Sequence, residues 1–283
     1  MALIAAILAA ALALPGPPPP APGPTLAVED TLHTQVPEVV VRAPRVTLAE
    51  ILDRVARGET RRDSLLTDET FLATARVVAH ADEPGKTPQV ESESVFRVWK
   101  KRPDKARTVT LRHFEAHPPK RGSANADMQV RFGPNMSEEI VNFAFRPEAR
   151  RDYRYHIVGR EIVGNHVVYR LAFEPRSLLM PGNPSGLVWI DTNDFVILRQ
   201  EVAFARSPVP LLLQRIDRLV IEREHIEGHW LLRRLLMRAT MTVPIPHLGR
   251  SFDFALHFDD YAVNTGLADS LFTGHRGGAE EAP

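Results

Sequence analysis

The sequence predicts a mainly β protein, an α+β chain whose curved antiparallel sheet forms an incomplete barrel with a few helices covering the concave face. Three observations predict it. Long runs of alternating apolar and polar residues fill positions 153–261, Gly-containing turn pairs separate them, and one strongly amphipathic helical stretch lies upstream. Long antiparallel strands twist and coil, so a large sheet of them bends into a partial barrel whose hollow needs a filler, either the protein's own helices or a ligand.

The chain has 283 residues and opens with an apolar run at 2–14, too short for the ~20 residues of a spanning helix and suited to a signal-peptide core. Ala11-Leu12-Ala13 supplies a small-x-small cleavage pattern, although no Lys or Arg precedes the run. Residues 15–24 hold seven prolines and predict an extended polyproline II spacer. Residues 1–24 thus read as signal peptide and linker, and residues 25–65 as an N-terminal segment with one helix. Thr47-Leu48-Ala49-Glu50 matches a capping box, and Leu48, Ile51, Leu52 and Val55 follow at helical spacing before Gly58. That stripe must be buried, and the hollow of the sheet is the nearest surface of suitable size.

Residues 66–272 read as the sheet domain. Its first strands are predicted at 71–81, 91–100 and 106–114, with a short one around Met128, Val130 and Phe132. The apolar stretch 140–145 fits helix or strand. Gly164-Asn165 is a hairpin pair, after which Val167, Tyr169, Leu171 and Phe173 share one face. Residues 187–191 and 195–204 form a hairpin about Thr192-Asn193-Asp194. Residues 211–223 fit both periods, and the following turn pair Glu227-Gly228 favours strand. Beyond it Leu235, Met237, Ala239, Met241 and Val243 share a face, as do Phe252, Phe254, Leu256 and Phe258. The tail 273–283, Gly-rich and acidic, is expected to be disordered.

The 35 basic and 35 acidic residues balance, which removes a global field for nucleic acid or an anionic membrane. The chain has no cysteine, hence no disulfide, no acylated Cys and no thiolate chemistry. No nucleophile elbow, phosphate-cradling Gly loop or His-Glu-x-x-His occurs; Gly182-Asn-Pro-Ser185-Gly186 has the wrong spacing. His225 and His229, and His113 and His117, stand four apart, but turn and proline signals make them loop histidines better than metal ligands. Asp191 and Asp194 suit a backbone-bonded turn better than acid/base work.

The segments Tyr153-Arg-Tyr-His-Ile-Val-Gly159-Arg-Glu161-Ile-Val-Gly164, Val168-Tyr-Arg-Leu-Ala-Phe-Glu-Pro175 and Gly186-Leu-Val-Trp189-Ile-Asp191 resemble the outer-membrane lipoprotein-sorting (LolA/LolB-like) superfamily. The last strand, ending Phe258-Asp-Asp-Tyr261-Ala-Val-Asn264, is similar too. The resemblance implies a half-barrel closed by helices that shelters acyl chains in transit across the periplasm. The expectation is a periplasmic or secreted monomer, not an enzyme, without cofactor, metal or nucleic acid. It would hold lipid or lipoprotein acyl chains on Tyr169, Leu171, Phe173, Leu235, Met237, Met241, Phe252, Phe254, Leu256 and Phe258, beneath a lid of Leu48, Ile51, Leu52 and Val55. The same apolar faces would also serve as ordinary protein core. The alternative is a periplasmic sensor or envelope-assembly adaptor that binds a protein partner on this scaffold.

Overall fold

A computed structural model describes residues 46–80, 87–117, 144–163, 166–177, 183–207, 210–211, 213–245, 249–273 and 280–281. The apolar leader, the proline spacer, the strand expected at 128–132, the turn at 164–165 and most of 140–145 lie outside the described residues. Of that last stretch Ala144 and Phe145 are described, as a buried turn.

Among the described residues one helix, α1 (Leu48–Leu65), precedes ten antiparallel strands: β1 (Asp68–His80), β2 (Gln89–Lys101), β3 (Lys105–Glu115), β4 (Tyr153–Val163), β5 (His166–Pro175), β6 (Pro184–Asp191), β7 (Ile197–Phe204), β8 (Leu213–Ile226), β9 (His229–Ile245) and β10 (Gly249–Val263). They form one sheet in the order β3-β2-β1-β10-β9-β8-β7-β6-β5-β4. The end strands β3 and β4 do not pair with each other, so the barrel is incomplete, as predicted. In the tail, Glu280–Glu281 (β11) forms a short parallel bridge on β3.

The sheet is strongly curved. Ten flat strands would span ~43 Å at ~4.8 Å per gap, whereas an 18-residue helix is ~27 Å long. Yet Asp53 of the helix pairs with Arg150 beside β4, and Asp63, ten residues on, lies 3.9 Å from Arg102 at the end of β2, eight gaps away in the sheet. Alternation does the sorting: Phe252, Phe254, Leu256 and Phe258 are buried on the inner face, beside their cross-strand partners Ala79, Val77, Ala75 and Ala73 on β1.

The described residues hold one α-helix and two short 3-10 turns, Arg150–Asp152 and Asp269–Phe272. One sequence expectation changes: the helix runs past Gly58 to Leu65. Gly58 is no terminator: a Cβ there would lie 2.5 Å from the carbonyl oxygens of both Asp194 and Phe195, so the missing side chain lets the helix abut the β6–β7 turn. The N-terminus is as read, with the Glu50 amide donating to Thr47 Oγ1 at 3.2 Å. Residues 213–226 are strand, and Glu227-Gly228 turns the chain into β9 with φ of 50° and 83°, the positive pair that a two-residue hairpin of the right twist requires.

Candidate functional site

The inner face gathers all ten sequence-selected strand residues. Tyr169, Leu171 and Phe173 of β5, Leu235, Met237 and Met241 of β9, and Phe252, Phe254, Leu256 and Phe258 of β10 are all buried in one apolar cluster. Ile51, Leu52 and Val55 of α1 are buried in the same cluster, with Leu48 half-buried against it. Phe71 meets Phe258 edge-on at 5.6 Å, and Phe145 meets Phe173 likewise. Towards β1 and β2 the small residues Ala73, Ala75, Ala79, Ser92 and Ser94 are interspersed with buried Phe71, Val77, Phe96 and Val98.

Beside this apolar face lies an ion pair that sequence reasoning missed. Glu59 of α1 and Arg223 of β8 are 5 % and 7 % exposed, and Arg223 Nη1 donates to both carboxylate oxygens at 2.7 and 2.9 Å. The pair also completes the backbone where β7 and β8 part. Their ladder runs from Val202 opposite Leu219 to Arg199 opposite Glu222 and goes no further. Beyond it the Ile197 amide donates to Glu59 Oε1 at 2.8 Å, and the Ile197 carbonyl accepts from Arg223 at 3.1 Å. Burial raises the Glu59 carboxyl, but the charges of Arg223 and Arg62 and the hydrogen bonds from Arg223 and Ile197 outweigh it, so its pKa is lowered and the pair is ionised.

A signal for this pair existed. The apolar stripe Ile51, Val55 continues at helical spacing onto Gly58, Glu59 and Arg62, and the inner-face run Leu219, Ile221 continues onto Arg223. A charged residue on a buried stripe needs a partner, and two such interruptions are candidates for each other.

At the end of α1 a small pocket of about 40 Å³ is lined by Arg62, Lys100 and Arg102 above Phe71, Phe258 and Tyr261. The Tyr261 hydroxyl donates to the Leu232 carbonyl at 2.6 Å, and burial, with the nearby Glu69 and Asp259, raises its pKa well above the usual tyrosine value.

On the outer face Val168, Val196, Leu198 and Trp230 form a second apolar cluster, with Trp189 against it. A cleft of about 760 Å³ opens above it between charged walls that include Glu161, Arg199 and Glu222. Asp191, fully buried, shapes the β6–β7 turn as expected: its Oδ1 accepts from the amides of Asn193 and Asp194 at 2.8 and 2.7 Å. Its other oxygen lies 2.9 Å from His166 Nδ1. Asp194 accepts from Trp230 Nε1 at 3.0 Å. His225 and His229 flank the β8–β9 tip, His225 against the Trp230 ring at 4.7 Å. His113 is on β3, 2.9 Å from Ser94 Oγ, and His117 pairs with Glu91. Among the described residues no three His, Cys, Asp or Glu side chains are grouped to hold a metal ion, and no helix is long and apolar enough to cross a membrane.

No family model matches the chain, and no curated protein matches it. Solved structures do. An outer membrane lipoprotein-sorting protein domain from Vibrio parahaemolyticus is similar at 15% identity and a TM-score of 0.41, over 78% of this chain and 95% of that one. A DUF1329 family protein from Desulfovibrio piger is similar at 13% identity and a TM-score of 0.39, over 79% and 98%. A LolA superfamily protein from Nitrosomonas europaea is similar at 13% identity and a TM-score of 0.36, over 81% and 98%.

Proposed function

We propose that this chain is an exported, periplasmic or secreted protein that holds acyl chains of a lipid or lipoprotein between the inner face of its sheet and the N-terminal half of α1. One observation carries the reading: the ten strand residues and the helix stripe pack into a single continuous apolar cluster between the sheet and α1. Burying an acyl chain there contributes ~0.8 kcal/mol per methylene, so binding needs neither a cofactor nor a covalent step. Leu48, Ile51, Leu52 and Val55 act as the cover that moves aside for loading. Glu59 and Gly58 hold the other half of the helix in place, so the motion is a lifting of one end rather than departure of the whole element.

The test is extraction of the purified protein followed by mass spectrometry, and titration of the delipidated protein with a fluorescent fatty acid. Co-purifying lipid and saturable uptake support the proposal. A protein that carries no lipid and takes up none overturns it.

A further inference from the structure

The two edges of the sheet differ. β3 carries Lys105, Arg107, Arg112, His113 and Glu115 along its eleven residues, and β11 lies beside it. β4, equally long, contains no Lys and no Pro and leaves Ile157 (42 %), Val158 (41 %), Ile162 (76 %) and Val163 (46 %) exposed. Among the described residues no strand pairs with its outer side. An exposed edge of open amides and carbonyls is a template for another strand. β4 mixes its apolar residues with Arg154, His156, Arg160 and Glu161 and carries a bulge, so a partner strand must match both its charges and its extra residue.

A bulge decides which strand fits. The register of β4 on β5 slips between Ile157 and Gly159, inserting one extra residue. Arg154 and Glu161 are seven apart, and in an unbroken strand they would face opposite sides. The extra residue brings both to the outer face, opposite Glu174 and Val168 of β5, and likewise brings Tyr155 and Arg160 together on the inner face, opposite Phe173 and Tyr169. A second β4 laid antiparallel about a two-fold axis between Ile157 and Val158 therefore sets Arg154 against the second copy's Glu161, twice, with faces matched along the strand. Moving the axis onto Ile157 sets outer-face Arg154 against inner-face Arg160, and moving it onto Val158 sets outer-face His156 against inner-face Arg160, so in both registers the faces no longer match.

We propose that β4 is a homodimer interface: two copies of this chain pair antiparallel through β4, with Arg154 and Glu161 as reciprocal cross-strand ion pairs and Ile157, Val158 and Ile162 along the seam. The dimer replaces the monomer expected from sequence, and it is independent of whether the inner face holds lipid.

Sedimentation velocity on the full chain is the direct test, with circular dichroism as the check on folding. A concentration-dependent dimer is expected. Ile162→Lys should leave the fold intact and abolish the dimer, and Arg154→Glu should weaken it about tenfold by turning two attractions into repulsions. The absence of native cysteine permits a register test: Arg154→Cys and Glu161→Cys chains, mixed and oxidised, should cross-link to each other and not each to itself. A wild-type chain that stays monomeric at about 100 μM, far above the ~1 μM scale of ordinary specific interfaces, overturns the proposal. So does a dimer that Ile162→Lys and Arg154→Glu leave unchanged.

Discussion

The two halves of α1 sit on the same sheet and are held by different physics. The first half, from Leu48 to Val55, is attached through apolar area, with Arg150 reaching Asp53 and the Leu52 carbonyl at its margin and Arg54 over the Phe195 ring. Apolar attachment is non-directional, and an acyl chain can replace it contact for contact. The second half is attached through Gly58 pressed on a backbone turn, a buried ion pair, and hydrogen bonds to the Ile197 backbone. Those contacts have one geometry and no lipid substitutes for them. Under the proposed function, the contrast says which end of the helix would lift.

The largest break should come from the polar end. Glu59→Ala leaves Arg223 buried without its counter-ion and the Ile197 amide without an acceptor, and is expected to cost about 3–5 kcal/mol in urea denaturation. The double change Glu59→Leu with Arg223→Met should cost less than Glu59→Ala alone, because it removes the stranded charge; an equal or larger loss would contradict the account given for the pair. The same pair predicts an acid limit. The folded pKa of Glu59 lies below its unfolded value of ~4.3, so its ionisation stabilises the fold above that value and the stabilisation is lost as pH falls through the depressed folded pKa. Stability measured against pH should fall less steeply there in Glu59→Gln than in the wild type.

Gly58→Ala comes next. Alanine favours helix over glycine by ~1 kcal/mol, but its Cβ would meet two backbone oxygens, so a net destabilisation of about 1–3 kcal/mol is expected. A stabilised Gly58→Ala protein would mean the helix can slide off the turn.

The smallest effects sharpen the comparison at the apolar end. Thr47→Ala removes the N-cap and should cost ~1 kcal/mol, read as faster amide exchange in the first helical turn. Ile51→Val should cost ~0.5–1.5 kcal/mol in the lipid-free protein, and less once a fatty acid is bound and fills the space. The same ligand should not offset Gly58→Ala. If it rescues both changes equally, the halves are not distinct.

Much of this architecture was legible because it is written in short periods. Alternation placed β5, β9 and β10 and their buried faces, Thr47 and Glu50 announced the helix, and Glu227-Gly228 announced the turn that resolves residues 213–226 as strand. What stayed hidden was any feature defined by two distant segments. Gly58 reads locally as a stop, and only the approach of the β6–β7 turn makes it an interior residue. Glu59 and Arg223 each interrupt a buried stripe locally, but only the parting of β7 from β8 shows that the two interruptions share one place. The bulge in β4 has one local signal, Gly159 inside the strand, and the extra residue there decides which side chains share a face.

The strand order carries a consequence for how the molecule is made. β1 to β3 form a run of neighbouring hairpins, and so do β4 to β10, but the join between the two runs is the pairing of β1 with β10, the earliest strand with the latest. Each run can assemble from nearby segments, whereas the β1–β10 seam must wait until nearly all of the polypeptide is present, and contacts so remote in sequence are slow to form. Until then both runs offer open ladders at that seam, and a nascent chain is most vulnerable to mispairing at a line that ends up inside the finished sheet, three strands from one edge.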